Sequence, residues 1–385
     1  MLNLFAERIV IIMKKRLNVA IIGQGRSGRN IHGAYFKTNA NEEYTVAAVV
    51  DMDPERRQRA LEEYPGCEVF EKVEDLFPLK DKLDLVVNAT FSELHYSVSK
   101  TLLEHGFNVV VEKPMARTYF ECCDLIKTAK DNGVIIAAFQ QTFLAPFHIG
   151  IKELVASAKI GRPVQVAIKY NGFSRRWDWQ TLQHKMAGGL YNTGPHPVGL
   201  ALDWLDFSPE TTVAFSKLDI AMTSGDADDY AKLILTAPGK PVVDVEVCSN
   251  DAYPDGSLVK IMGTRGTIFA NRYNYKIKYF ISDENEARPV IEAPLKDENG
   301  LPIYCGENLV THEEEGKFDV GADTTSHTAQ STPLDSYDIM SKRFYDGLYK
   351  TLTEGAPLPV PVEYAAQVIS VIETAHAQNR MEVKF

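Results

Sequence analysis

Three glycines in Gly23-Gln24-Gly25-Arg26-Ser27-Gly28 directly follow an apolar run, Leu17–Ile22, and open a segment of helical character. In that setting each has a separate task. Gly23 allows a tight turn, Gly25 lets the backbone approach a pyrophosphate, and Gly28 lets the helix pack closely on the strand. The pyrophosphate would rest on the free amides and positive end of the helix. Arg26 and Ser27, inside the loop, join the glycines as cofactor-binding candidates. An acidic residue about 20 positions later should hold the adenosine ribose, and Asp51 ends the next apolar run 23 positions after Gly28. A carboxylate accepts from a ribose 2′-hydroxyl and repels a 2′-phosphate. Asp51 therefore points to NAD, with NADP second, since Arg56, Arg57 and Arg59 follow either as a phosphate clamp or as a solvated helix face.

Two further positions could handle an alcohol. Val111-Glu112-Lys113-Pro114 ends an apolar run, and ligands of open α/β sheets bind beyond the carboxyl ends of the strands. A lysine there can hold a carbinol or carbonyl oxygen and lower the pKa of a neighbouring histidine. Gly188-Gly189-Leu190-Tyr191-Asn192-Thr193-Gly194-Pro195-His196-Pro197 implies a pinned, unusual backbone. Asn192 and His196 are four apart and would share a helix face. Histidine, with an unperturbed pKa of about 6.5, suits proton exchange with a hydroxyl near neutrality. The other histidines (His32, His105, His148, His184, His312, His327 and His376) read as structural or exposed.

Elements must carry these residues to one place. The short runs Leu17–Ile22, Val46–Val50, Leu83–Asn88, Asn108–Val111 and Val134–Ala138 read as buried strands. Helical patterns lie between them, such as Leu94, Val98 and Leu102, closed by Gly106. The alternation predicts α/β architecture, a doubly wound Rossmann domain over residues 16–140. After a helix at Phe147–Ala158 come the alternating runs Val164–Tyr170, Thr212–Leu218, Tyr230–Leu235, Val242–Cys248 and Ser257–Met262. They predict an open, mostly antiparallel sheet in a second α/β domain for substrate and oligomerisation, residues 141–335. Ser282–Pro333 reads as a long arm within it. Two helices, residues 336–385, close the fold: Tyr337, Met340, Phe344, Leu348 and Leu352 line one, Val362, Ala365, Ala366, Ile369 and Ile372 the other. Residues 1–15 are expected to be a poorly ordered extension, and Met13 offers an alternative start.

Composition narrows the partners. The chain has 385 residues, 45% hydrophobic and 24% charged, with 41 Lys plus Arg against 52 Asp plus Glu, a net charge of −11. That length suits two domains, and the acidic balance disfavours nucleic acid and membrane surfaces. No apolar run approaches the ~18–20 residues of a membrane span. Five cysteines without a C-x-x-C signal neither a disulfide framework nor a zinc site, so a cytoplasmic setting and no metal are expected.

In combination these motifs resemble the glucose–fructose oxidoreductase, inositol dehydrogenase and rhizopine-catabolism (Gfo/Idh/MocA) family, over nearly the whole chain from Leu17. The marks are the glycine loop, Ala89-Thr90-Phe91-Ser92-Glu93-Leu94-His95 before a helix, Glu112-Lys113-Pro114 and the Gly188–His196 block. Gly263-Thr264-Arg265-Gly266-Thr267 and Glu354-Gly355-Ala356-Pro357-Leu358-Pro359-Val360 also fit. The resemblance implies hydride transfer between nicotinamide and a secondary alcohol of a sugar, glycoside or cyclitol. It places the catalytic lysine at Lys113 and histidine at His196, and adds Thr90, His95, Glu112 and Lys113 to the cofactor set. It also implies a homodimer or homotetramer. Three departures stand out: Asn192 replaces an aspartate, Gly199 replaces another, and Gln140-Gln141-Thr142-Phe143 lacks a common arginine. Asn192 can still bind substrate, and Arg176 and Trp177 could address sugar hydroxyls and stack on a ring; a packed rim or subunit contact is the alternative. A glycosidase using transient oxidation and a non-catalytic NAD(P)-binding sensor are the competing functions.

Overall fold

The computed structural model describes residues 15–319 and 336–385. Residues 1–14 of the expected extension and 320–333 of the expected arm lie outside the described residues. The chain divides into two units: Met1–Glu112, Asp124–Phe139 and Thr324–Pro359 form the first; Lys113–Cys123, Gln140–Asp323 and Val360–Phe385 the second.

The first unit is built on a six-stranded sheet of β1 (Leu17–Ile22), β2 (Tyr44–Val50), β3 (Glu68–Phe70), β4 (Leu85–Asn88), β5 (Val109–Val111) and β6 (Ile136–Ala138). Every pairing is parallel and the order is β3-β2-β1-β4-β5-β6. Strands buried on both faces need continuous apolar sequence. Val19, Ala20 and Ile21 are fully buried, as are all three valines of β5; each such valine or isoleucine contributes up to about 1.5–3 kcal/mol by leaving water. β3 left no readable pattern because it has three residues, opens on an exposed glutamate and is otherwise half-buried. The carboxyl ends of β1, β2, β4 and β5 feed Gly23, Asp51, Ala89 and Glu112. The parallel order thus brings the cofactor-binding candidates to one sheet edge.

Two helical readings change. The helix His95–Glu104 buries His95, Ser99, Leu102 and Leu103, while Leu94 is exposed and Val98 half-buried. Its inner face is partly polar because Asn88 at the end of β4 needs partners. Asn88 Nδ2 donates to His95 O at 3.1 Å and Ser99 Oγ at 2.9 Å. The two closing helices belong to different units. Ser336–Glu354 packs in the first, with Phe344, Tyr345 and Leu348 fully buried and Tyr345 against Phe36 and Tyr44 at 4.8 and 5.4 Å. Val362–Gln378 packs in the second and buries Val362, Ala365, Ala366, Ile369 and Ile372.

The second unit holds an eight-stranded sheet: β7 (Pro163–Asn171), β8 (Thr212–Asp219), β9 (Tyr230–Thr236), β10 (Val242–Cys248), β11 (Val259–Gly263), β12 (Gly266–Ala270), β13 (Asn274–Tyr279) and β14 (His312–Lys317). The order is β14-β13-β12-β11-β7-β10-β9-β8; only β7–β10 is parallel. Alternation explains its one-sided burial. Val166 and Ile168 of β7 are buried, with Gln165 and Ala167 half-buried on the opposite face. β14 lies inside the stretch expected to be an arm, and its charged HEEEGK sequence disguised an edge strand that meets Lys276 and Lys278 of β13. Residues between β13 and β14 form the excursion, almost all exposed.

Candidate functional site

In the first unit the glycine loop is shaped by contacts no side chain could share. Gly23 has φ +88°, and a Cβ there would lie 2.5 Å from Ala89 O. A Cβ on Gly28 would come within 1.7 Å of Gly23 O. Gly25 differs: a Cβ there would meet only Arg56 Nη1, at 4.0 Å. The loop is therefore closed where strand and helix pack and open where a diphosphate would lie against its amides. Arg26 and Ser27 follow in that loop, and the helix begins with a π-turn, Gly28–His32, before Gly33–Lys37. The residues present fit a dinucleotide.

Asp51 is engaged by two backbone amides. Its Oδ2 accepts from Gln24 N at 2.7 Å and its Oδ1 from Asp53 N at 2.9 Å, so the carboxylate ties the end of β2 to the loop. Arg56 Nη1 stands 3.5 Å from Oδ2, Arg57 caps the carbonyls of Asp51 and Met52, and Arg59 reaches Gln24 O. The three arginines thus pack against the end of β2 and the glycine loop. Thr90 Oγ1 donates to Asn88 Oδ1 at 2.7 Å, and His95, 2% exposed, places Nε2 3.3 Å from Thr90 O. Glu112 has a buried partner. It is 3% exposed and its Oε1 lies 3.0 Å from His32 Nε2, whose Nδ1 is 2.6 Å from the Tyr345 hydroxyl. Its carboxylate is turned into the unit, and His32 is the buried partner that holds it there.

Lys113 begins the first segment of the second unit. Its Nζ donates to Asn192 O at 2.7 Å. Asn192 ends the helix Gly189–Asn192, and His196 lies in the next helix, Pro195–Trp204. The expected continuous helix is broken at Thr193–Gly194, yet the block still sets His196 one turn beyond the carbonyl that Lys113 grips. His196 Nδ1 lies 2.6 Å from Thr142 Oγ1, and its ring stands 6.4 Å from Tyr170 at an interplanar angle of 12°. Thr142 and Tyr170 carried no chemical signature in sequence. The only hint was Thr142's place in the segment lacking the usual arginine.

The departures have physical reasons. A Cβ on Gly199 would sit 2.9 Å from Phe143 Cζ, so that position is filled by an aromatic ring and has no space for a carboxylate. A carboxylate reaches the block from elsewhere: Asp228 Oδ2 accepts from Leu190 N at 2.7 Å, and Asp228 O from Gly189 N. Burial pushes the Asp228 carboxyl up to about 7 against the pull of the Leu190 amide, with the charge of Asp229 adding to the rise. Arg176 and Trp177 lie at the surface of the segment ahead of the glycine block. Arg176 Nε pairs with Asp178 at 3.1 Å, and Trp177 is 83% exposed. The Asn192 contribution is its main-chain oxygen rather than an observed side-chain contact.

Residues 17–140 match an oxidoreductase family with an NAD-binding Rossmann fold, and residues 148–269 match the GFO/IDH/MocA C-terminal domain. The chain is 25% identical over 368 residues to scyllo-inositol 2-dehydrogenase (NADP(+)) IolW of Bacillus subtilis, covering 94% of each. It is 26% identical to 2,7-anhydro-N-acetylneuraminate hydratase of Mediterraneibacter gnavus, over 77% of this chain and 78% of that one. GenD2 from gentamicin A biosynthesis, solved in complex with NAD, superposes with a TM-score of 0.70 at 20% identity, over 95% of this chain and 94% of that one; at that identity the likeness concerns fold alone. With both halves matched, the chain belongs to the Gfo/Idh/MocA family of NAD-binding oxidoreductases.

Proposed function

We propose that the protein transfers a hydride between nicotinamide and a secondary alcohol of a sugar, glycoside or cyclitol. One observation carries the reading: Lys113 is held at Asn192 O, 2.7 Å, one turn before a histidine whose Nδ1 is engaged by Thr142 at 2.6 Å. A positioned ammonium and an oriented imidazole are what removal of a hydroxyl proton needs. The sugar and cyclitol chemistry named for the two relatives supports the substrate class. Asp51 favours NAD in this reading, and the oligomer expected from the family would use the open face of the eight-stranded sheet. Five free cysteines accord with a reducing compartment. Among the described residues no helix is long and apolar enough to cross a membrane.

Bound nicotinamide supplies the hydride acceptor at C4. Lys113 then hydrogen-bonds the reacting oxygen and stabilises its developing negative charge. His196 takes the hydroxyl proton at Nε2, which requires Nδ1–H to donate to Thr142 Oγ1. Absorbance at 340 nm with NAD or NADP and a panel of inositols, hexoses, uronates and aryl glycosides tests the reading. A substrate-dependent rise lost in His196→Ala and Lys113→Ala supports it. Release of an aryl group with no net rise would move the assignment to a glycosidase, and binding of NAD with neither signal to a sensor.

A further inference from the structure

Beside Thr193 and Tyr170 the second unit contains a cavity of about 520 Å³. It is lined by Tyr170 and Asn171 from the end of β7, by Asp251 and by the hairpin tip Asn271-Arg272-Tyr273 between β12 and β13. Asn271 closes the tip: its Oδ1 accepts from Tyr273 N at 2.9 Å and Asn274 N at 2.8 Å. The Arg272 guanidinium stands 5.9 Å from the Tyr170 ring centre. The same ring is 6.4 Å from His196. Two contacts thus connect the imidazole to the guanidinium through one aromatic residue.

The cavity's charged lining is two cations, Lys169 and Arg272, and two carboxylates, Asp251 and Asp255. Lys169 is paired with Asp255 at 2.7 Å. Asp251 accepts from Tyr253 N at 3.1 Å and from Asn171 Nδ2 at 3.2 Å, so both of its oxygens are engaged. Arg272 has no carboxylate within ion-pair distance among the described residues. A planar fork beside a tyrosine face, with hydroxyl and amide groups around it, suits a sugar bearing an anion.

We infer that this cavity is a subsite for an anionic group, a carboxylate or a phosphate, carried by the substrate away from its reacting carbinol. Arg272 binds the anion, and Tyr170 supports the intervening ring. The inference rests on the hydride-transfer reading and narrows its substrate class to acidic sugars or their glycosides.

The experiment compares glucose, glucuronate and glucose 6-phosphate, and neutral and acidic glycosides, on wild type, Arg272→Gln and Arg272→Lys. Binding is read by ligand-detected NMR and turnover at 340 nm. The expected result is that Arg272→Gln lowers the acidic-to-neutral ratio of kcat/KM and of affinity roughly tenfold or more, with partial recovery in Arg272→Lys, where charge returns without the fork. Whether the loss falls on glucuronate or on glucose 6-phosphate distinguishes carboxylate from phosphate. An unchanged ratio, or no binding of any acidic ligand to wild type, overturns the subsite. Arg272-dependent binding with no nicotinamide reduction by any sugar upholds the subsite and sinks the hydride-transfer reading instead.

Discussion

Gly25 and Gly28 sit three positions apart in one loop, and the structure predicts opposite consequences for adding a methyl group to each. At Gly28 the new Cβ would lie 1.7 Å from Gly23 O, about half an ordinary contact distance, so strand and helix must separate by more than an ångström. Overpacking of this kind costs ~3 kcal/mol when the obstacle is backbone. For a unit of this size that lowers Tm by roughly 6–12 °C. At Gly25 the backbone is outside the left-handed region and the nearest atom is Arg56 Nη1 at 4.0 Å. Gly25→Ala should therefore leave Tm unchanged or raise it slightly, since alanine restricts the unfolded chain by ~0.4–1 kcal/mol. Its methyl group would instead occupy the space that the diphosphate needs. Losing even one amide-to-phosphate hydrogen bond, ~1.5–3 kcal/mol, weakens NAD at least tenfold. Thermal melts and titration calorimetry with NAD on both variants separate the effects. Wild-type NAD affinity in Gly25→Ala would refute the loop as the diphosphate site, and a wild-type melt in Gly28→Ala would refute the packing argument.

Three further outcomes follow from the same geometry. Thr142→Val removes the hydroxyl at His196 Nδ1 and should lower kcat about tenfold, a loss of ~1.4 kcal/mol, with KM little changed; Thr142→Ser should restore it, and an unaltered pH–rate profile in the valine variant would contradict the tautomer assignment. Asp228, at about 7, binds its proton more tightly folded than unfolded. Its contribution to stability is therefore complete below about pH 4 and lost as pH rises toward 7, on the order of 4 kcal/mol across that window. Urea denaturation of wild type and Asp228→Asn from pH 4.5 to 8 should show that slope flattened in the variant; parallel curves would count against it. Asp51→Ser should shift preference toward NADP by tenfold or more, because it removes the charge that opposes a 2′-phosphate beside Arg56. Calorimetry with both cofactors measures the ratio, and an unmoved ratio would remove Asp51 as its determinant.

Much of this architecture was legible in the residues alone. Short apolar runs separated by helical periodicity dictate a buried parallel sheet, because strands covered on both faces need apolar side chains at every position. The glycine loop was legible because backbone conformation and close approach restrict those positions to glycine. Lys113 and His196 stood out because few side chains hold an oxygen or exchange its proton near neutral pH. The edge strand His312–Lys317 and the polar inner face of His95–Glu104 were not legible, since each answers to a partner rather than to a hydrophobic period.

The sequence by itself determined most of the elements that form, and it singled out the loop proposed for a diphosphate and the two side chains proposed for an alcohol. Tertiary structure alone decided their company. Thr142 meets His196 across 54 positions, Glu112 turns to His32 across 80, and Asp228 reaches Leu190 across 38. It also spent Arg176 on Asp178 and left Arg272 facing a cavity beside Tyr170. The reason is physical. Periodicity and turn chemistry are written over a few neighbouring residues, whereas a hydrogen-bond partner is chosen by where packing brings distant backbones within 3 Å.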